Sequence, residues 1–391
     1  MKILIIVSTL DLQKPFGATP ALWQLFKGFY EIGDELIVIP YSGRAIDSLW
    51  WRTYPNPTQS QSDIFLGVKT HLKSTGINLG SSLTVPKIAQ SFTLPKWRKT
   101  IMNILKKEKN IDAVMLVGVP LNHFVGLPTI IKKEYEEIPV IFYDLDVPTS
   151  LPENEGFSFK YYEDSNLTEY DGFIIPSEGC AVRLKELGAR EVGVVHFGVD
   201  PDVYTPVDVN QTTDIFFFGN SSPDRKKNID MMITEPSKIL SDRSFVISSR
   251  NMSGDIGNAK LIDPMIFSRL RFLCCQSKIN LNSPRASHAE TYCTSTSRLF
   301  ELSALECCIV SGPYLGLEKW FKIGKEMYQV SNTKECVEIY NYLLDNEEER
   351  FKTGKAARVR ILKEHTHRHR ARQIRQFIQS LRTRTTELTK K

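Results

Sequence analysis

Ser295-Thr-Ser-Arg298-Leu-Phe-Glu301-Leu-Ser-Ala-Leu-Glu-Cys-Cys-Ile309-Val-Ser-Gly-Pro313 reads as a polar loop, a short helix and a buried strand closed by a Gly-Pro turn. Leu299, Phe300, Ser303, Ala304, Cys307 and Cys308 recur with helical spacing, so one face of that helix is apolar or small. Arg298 and Glu301 fall in the first turn, off that face. A glutamate suits the positive end of a helix, whereas an arginine does not. Two readings of Arg298 follow. It is either half of an i, i+3 ion pair worth a few tenths of a kcal/mol, or a contact to an anion such as a phosphate held at the helix start.

Moving outward, the flanking segments alternate between short apolar strands and helices. Strands are expected at 3–8, 36–40, 113–117, 140–143, 172–176 and 192–195, and again at 214–218, 244–248, 279–282, 309–311 and 327–330. β-Branched runs of this length between helices specify parallel sheets covered on both faces. Between Tyr41 and Lys96 the chain is rich in Ser, Thr, Pro and Gly, which is long for a connection. With 391 residues, two α/β domains are expected: 1–206, then 207–365, then a basic amphipathic helix and tail at 366–391 that packs back on the body.

Composition narrows the function classes. A net charge of +5 with 24% charged residues requires no nucleic acid partner. Seven cysteines without a C-x-x-C pattern favour reduced thiols and a cytoplasmic setting. Met1–Ser8 carries an apolar run too short for a membrane span and lacks a cleavage site. Neither a Walker loop nor a G-x-G-x-x-G occurs, which counts against kinases, ATPases and nicotinamide enzymes.

Ligands of such sheets bind beyond the carboxyl ends of the strands. That rule gathers Asp11 and Gly17 after the first strand, His123 after the third, and Asp144 with Asp146 after the fourth. Asp144 and Asp146 lie two apart on an extended segment, so their side chains point to opposite faces. In the second half Gly219, followed by Arg225-Lys226-Lys227, reads as a diphosphate-binding loop or as a solvated basic turn. In the tail only His365 and His369 of the three histidines share a helix face, with no third ligand beside them. Ile374, Phe377, Ile378 and Leu381 form an apolar stripe, and the opposite basic face could meet an anionic membrane or another polyanion.

Three segments resemble glycosyltransferases of the two-Rossmann-domain (GT-B) type. His196-Phe-Gly-Val-Asp200…Tyr204-Thr-Pro206 resembles the H-x-G-V-D-x-x-x-F-x-P signature of the family-four retaining enzymes, with Tyr for Phe. Arg298-Leu-Phe-Glu301-Leu-Ser-Ala resembles the donor-site helix of the spore-protein CgeB-like branch. Glu318–Phe321, Glu326, Gly354…Arg358 and His365-Thr-His-Arg-His-Arg370 resemble that branch's closing pattern.

The resemblance implies two Rossmann-like domains facing across a cleft, and transfer of a sugar from a UDP- or GDP-linked donor without a metal or other cofactor. Glu301 would bind the ribose hydroxyls. Gly219, Asn220, Arg225 and Lys226 would hold the diphosphate, with the Thr296–Ser297 amides and Arg298 completing the cradle. Arg225, His123 and Asp144 would serve the reaction itself, with Asp11 and Gly17 on the acceptor side. The acceptor is a glycan, lipid, protein or nucleic acid. The chain departs from the family at Cys293, eight residues before Glu301, where the family-four enzymes carry a sugar-contacting glutamate. Two alternatives stay open: a related epimerase or phosphorylase, and a non-catalytic nucleotide- or polyanion-binding protein of this fold.

Overall fold

The computed structural model describes residues 1–11, 21–61, 63–64, 84–154, 161–219, 223–249 and 252–389. Gly17 and Asn220 lie outside the described residues. The chain forms two compact units. One gathers Met1–Asp11, Phe26–Val195 and Ala371–Lys391, and the other gathers Leu12–Leu25 and His196–Arg370.

The first unit is built on β1 (Lys2–Thr9), β2 (Glu35–Ser42), β3 (Arg52–Thr53), β4 (Ala113–Val117), β5 (Val140–Tyr143), β6 (Gly172–Ile175) and β7 (Val192–Val194). They pair in parallel in the order β3-β2-β1-β4-β5-β6-β7. Ile3 through Val7 and Ala113 through Val117 have no exposed surface, as continuous apolar strands covered on both faces should. The long connection after β2 contains helical turns at Thr84–Ile88 and Ala89–Thr93 that run into a helix at Leu94–Lys107. Trp97, Ile101 and Ile104 from that helix enter the core.

The C-terminal helix, His367–Thr389, belongs to this same unit from Ala371 onward. Two strand glycines make room for it. A Cβ on Gly172 would lie 2.8 Å from Phe377, and one on Gly193 would lie 2.9 Å from it. The stripe read from sequence is the packed face, with Ile374 and Ile378 fully buried. Three of its arginines pair with carboxylates of this unit. Arg375 meets the buried carboxylate of Asp34, Arg382 meets Asp112, and Arg384 meets Glu191.

The second unit holds β8 (Thr213–Phe218), β9 (Phe245–Ser248), β10 (Lys260–Ile262), β11 (Ser277–Asn282), β12 (Ile309–Ser311) and β13 (Tyr328–Gln329). These too are parallel, in the order β10-β9-β8-β11-β12-β13. β10 and the helix Phe267–Gln276 were not evident in the sequence. Lys260 and Leu261 are exposed and the strand is three residues long, so it leaves almost no periodic signal.

Two motifs distant in sequence meet in this unit. Val199 N–H donates to the His365 carbonyl at 3.1 Å, and His367 N–H donates back to the Val199 carbonyl at 2.9 Å. Gly198 is required there, because a Cβ would lie 2.7 Å from the Arg370 side chain and 2.9 Å from the Thr366 carbonyl. Arg370 Nε then donates to the Phe197 carbonyl at 3.0 Å, and Arg370 Nη2 contacts His365 Nδ1 at 2.5 Å. The tail histidines thus serve as joints. None of the seven cysteines is in a disulfide, and no helix among the described residues is long and apolar enough to cross a membrane.

Candidate functional site

The helix Ser297–Ala304 follows an extended Thr296, whose side chain makes no capping hydrogen bond. Its first amides therefore lack intrahelical acceptors, as at any helix start. At its other end, Arg358 donates to the Ala304 carbonyl and, at 3.1 Å, to the Tyr204 carbonyl. A cation there complements the negative end of the helix. Arg358 comes from the helix Glu347–Glu364, which approaches so closely that a Cβ on Gly354 would lie 2.0 Å from the Glu306 carbonyl. Gly354 and Arg358 thus fix the position of the helix carrying Arg298 and Glu301.

Arg298 does not form an ion pair with Glu301 among the described contacts. Its guanidinium lies over the rings of Phe218, at 4.7 Å, and Phe217, at 5.3 Å. A cation on an aromatic face is attracted by the ring quadrupole, and the two phenylalanines end β8, next to Gly219. Gly219 has φ of +151° and borders both arginines. A Cβ there would lie 2.7 Å from Arg298 Nη2 and 3.4 Å from Arg225 Nη1. Burial, then the repulsion of Arg298 and Arg285, pushes the Arg225 guanidinium down to about 9. Burial likewise pushes Arg298 down to about 10, with Glu301 opposing and Arg285 adding to the shift. Both remain charged at neutral pH. Gathering like charges away from water is costly unless an anion joins them.

Glu301 is buried and accepts a 3.0 Å hydrogen bond from the Tyr204 hydroxyl. Burial raises its carboxyl, while Tyr204, Arg298 and Ser297 pull it back. Lys226 is turned outward and pairs with Asp230 at 2.6 Å. Cys293 adopts φ of +49°, is fully buried, and directs its thiol to the Gly316 carbonyl at 3.5 Å. It packs on the Leu315–Gly316 loop, so no carboxylate stands at that register.

Arg285 and His288 join this cluster and were missed in the sequence. Burial, then Arg285 and Arg225, pushes the His288 imidazole down to about 4. The available signal was positional: Arg225 follows β8 and Arg285 follows β11, both beyond the carboxyl ends of central strands.

In the first unit the Tyr41 hydroxyl and His123 Nδ1 are 2.5 Å apart. Tyr41 also stacks on Trp97 and meets Phe124 edge-on. Burial pushes His123 down to about 4 and raises the Tyr41 phenol. Asp144, expected in the reaction, is fully buried. It accepts from Ser150 Oγ at 2.5 Å, Tyr162 Oη at 2.6 Å and Asp146 N–H at 2.8 Å. With both oxygens engaged inside its own unit, Asp144 organises the loop after β5. Asp11 is exposed at the end of β1, where its N–H donates to Thr9 Oγ1 at 3.1 Å.

Residues 236–376 match the family described as "Glycosyl transferase-like". No curated protein matches this chain in sequence. Sucrose-phosphate synthase from Thermosynechococcus elongatus is similar in structure, with a TM-score of 0.62 and 12% identity, covering 97% of this chain and 99% of that one. HepE from Anabaena in complex with UDP has a TM-score of 0.62 and 12% identity, over 97% of this chain and 100% of that one. The E. coli trehalose-6-phosphate protein bound with UDP-2-fluoro glucose has a TM-score of 0.56 and 12% identity, over 97% and 99%. The likeness is one of fold: two parallel-sheet, Rossmann-like α/β units, as in GT-B glycosyltransferases.

Proposed function

We propose that the chain is a glycosyltransferase that takes a hexosyl or pentosyl group from a nucleotide-sugar, with the nucleoside diphosphate held in the second unit. The observation that carries this reading is the half-buried arginine cluster at Gly219. Arg225 and Arg298 converge on a glycine beyond β8, where partial burial and neighbouring guanidinium groups disfavour their charge, an arrangement that a bound anion would stabilise. A diphosphate supplies two negative groups, and Gly219 lets backbone and guanidinium approach them closely. The start of the helix Ser297–Ala304 adds oriented amides to the same cradle. UDP is the probe of choice, because proteins of similar fold have been solved with UDP or a UDP-sugar.

In this reading the C–O bond between the anomeric carbon and the diphosphate breaks, a bond to the acceptor oxygen forms, and the proton of the acceptor hydroxyl passes to the departing diphosphate or to water. Arg225 and Arg298 stabilise the charge that develops on the departing diphosphate, the task a metal ion performs elsewhere. Glu301, fixed by Tyr204, accepts from the ribose hydroxyls. A retaining, metal-independent outcome follows from the resemblance of His196–Pro206 to the family-four signature. The Arg298–Glu301 helix and the Gly354–Arg370 ending favour the CgeB-like branch within that group. With Cys293 packed into the Gly316 loop, the sugar lacks the glutamate contact of the family-four enzymes. His123, tied to Tyr41, stands on the acceptor side with Asp11.

Thermal denaturation with UDP, GDP, dTDP and CMP tests the donor site, with hydrolysis of the matching nucleotide-sugars followed alongside. At least one diphosphate should raise Tm in proportion to the logarithm of its concentration, by ordinary mass action. A chain unmoved by every diphosphate in the panel would overturn the assignment.

A further inference from the structure

The stretch from Thr84 to Lys107 carries six basic residues and no acidic one. It forms the consecutive helical turns Thr84–Ile88, Ala89–Thr93 and Leu94–Lys107 of the first unit. One side is committed to the core: Ala89, Leu94, Trp97, Ile101, Ile104 and Leu105 are buried. The other side faces solvent with Lys87, Ile88, Phe92, Lys96, Lys99 and Lys106. Ile88 retains 50% of its surface exposed and Phe92 retains 70%. Among the described residues none of these four lysines pairs with a carboxylate. The tail helix, with its greater density of arginines, instead spends Arg375, Arg382 and Arg384 on Asp34, Asp112 and Glu191.

From this juxtaposition we infer that the exposed face of residues 87–106 is a docking surface for an anionic lipid bilayer. Unpaired lysines are drawn to the negative surface of anionic lipids. Apolar side chains standing between them gain by entering the boundary between headgroups and acyl chains. A nucleic acid would satisfy the lysines through its phosphates but would leave Ile88 and Phe92 without an apolar partner. Gln90, on the same turns, donates to the Asn122 carbonyl at 2.6 Å. Docking would therefore hold the loop that carries His123 next to the bilayer. This inference stands independently of the transferase reading.

Sedimentation of the full chain with phosphatidylcholine vesicles, with and without phosphatidylglycerol, tests it. Binding is expected only with phosphatidylglycerol present and should weaken as salt rises. Lys96→Ala and Lys99→Ala should each weaken vesicle binding about five-fold, the value of one basic residue near an anionic surface. Phe92→Asp should weaken it about ten-fold or more, because burial of the ring is lost. Unchanged circular dichroism and Tm would show that these exposed substitutions leave the fold intact. Three results would overturn the proposal: no binding to anionic vesicles, binding insensitive to all three variants, or binding abolished by Arg384→Ala in the tail instead. Retention on duplex DNA under conditions where vesicles do not bind would assign the face to nucleic acid and likewise reject it.

Discussion

The two arginine-rich regions of the molecule use the same side chain in opposite ways. In the first unit the tail arginines Arg375, Arg382 and Arg384 each meet a carboxylate from the body, so the charge closes on itself and the result is adhesion. In the second unit Arg225 and Arg298 border one glycine, with aromatic rings beneath Arg298 and with Arg285 disfavouring charge on both. Placing the same residue beside an acid makes a clamp, and placing it beside more of its kind is the arrangement that the proposed diphosphate site would use. Composition is blind to that distinction, since both regions are simply basic. Only the partners separate them.

The largest expected effect comes from removing the two arginines that border Gly219. Arg225→Met combined with Arg298→Met should weaken UDP binding about a hundred-fold or more, because two charge-assisted contacts at roughly 1.5–3 kcal/mol each are lost. The protein without nucleotide should not lose stability in proportion, because the variant relieves buried like-charge repulsion. Calorimetric titration with UDP, paired with thermal denaturation without ligand, separates the two effects. Equal losses of affinity and Tm would show that these arginines hold the fold together, and the contrast with the tail would collapse.

The opposite result is expected in the first unit. Asp34 has no exposed side-chain surface and serves both the Met1 amino group, at 2.5 Å, and Arg375. Asp34→Asn should cost roughly 3 kcal/mol, the low end for breaking a buried pair, because Arg375 keeps some solvent contact. UDP affinity should stay at the wild-type value. Chemical denaturation and titration on the same variant give both readings. A change in UDP affinity here would mean that the tail clamp and the donor site are energetically coupled.

Much of this contrast was half legible in the sequence. The strands were readable because apolar runs such as Ile3–Val7 and Val114–Val117 can be buried only in a covered parallel sheet. The stripe Ile374, Phe377, Ile378 and Leu381 was readable from helical spacing. Its acidic partners were not, because Asp34, Asp112 and Glu191 lie far away in the chain and reach the helix only through the sheet order. Arg298 was readable as an anomaly at a helix start, and the structure places its guanidinium over Phe217 and Phe218. Arg285 and His288 escaped notice because the β11 crossover, and no local pattern, brings them to Arg225. Asp144 looked reactive for its position after β5. Its three donors come from a loop whose folding no spacing announces.

The pH dependence of stability is the most diagnostic. His288 sits among Arg285, Arg225 and Asp224 and is held neutral down to about 4. The unfolded chain, with its histidine near 6.5, binds a proton between those values that the folded chain refuses. Stability is therefore complete above about pH 6.5 and falls as pH drops toward 4, by roughly 1.4 kcal/mol per pH unit for this one group. His365, pushed down to about 3 by burial and Arg370, adds a slope of the same sign. His288→Gln should remove only the first part, and denaturation midpoints at pH 6.5, 5.5 and 4.5 would reveal it. Saturating UDP sharpens the test. A diphosphate offsets the field of Arg225 and Arg285, which lets His288 accept a proton more readily in the folded state. The acid slope of the wild type should then shrink with UDP present, while that of His288→Gln should not. If UDP leaves the wild-type slope unchanged, the anion does not sit among these cations, and the distinction between clamp and receptor would have to be drawn elsewhere in the second unit.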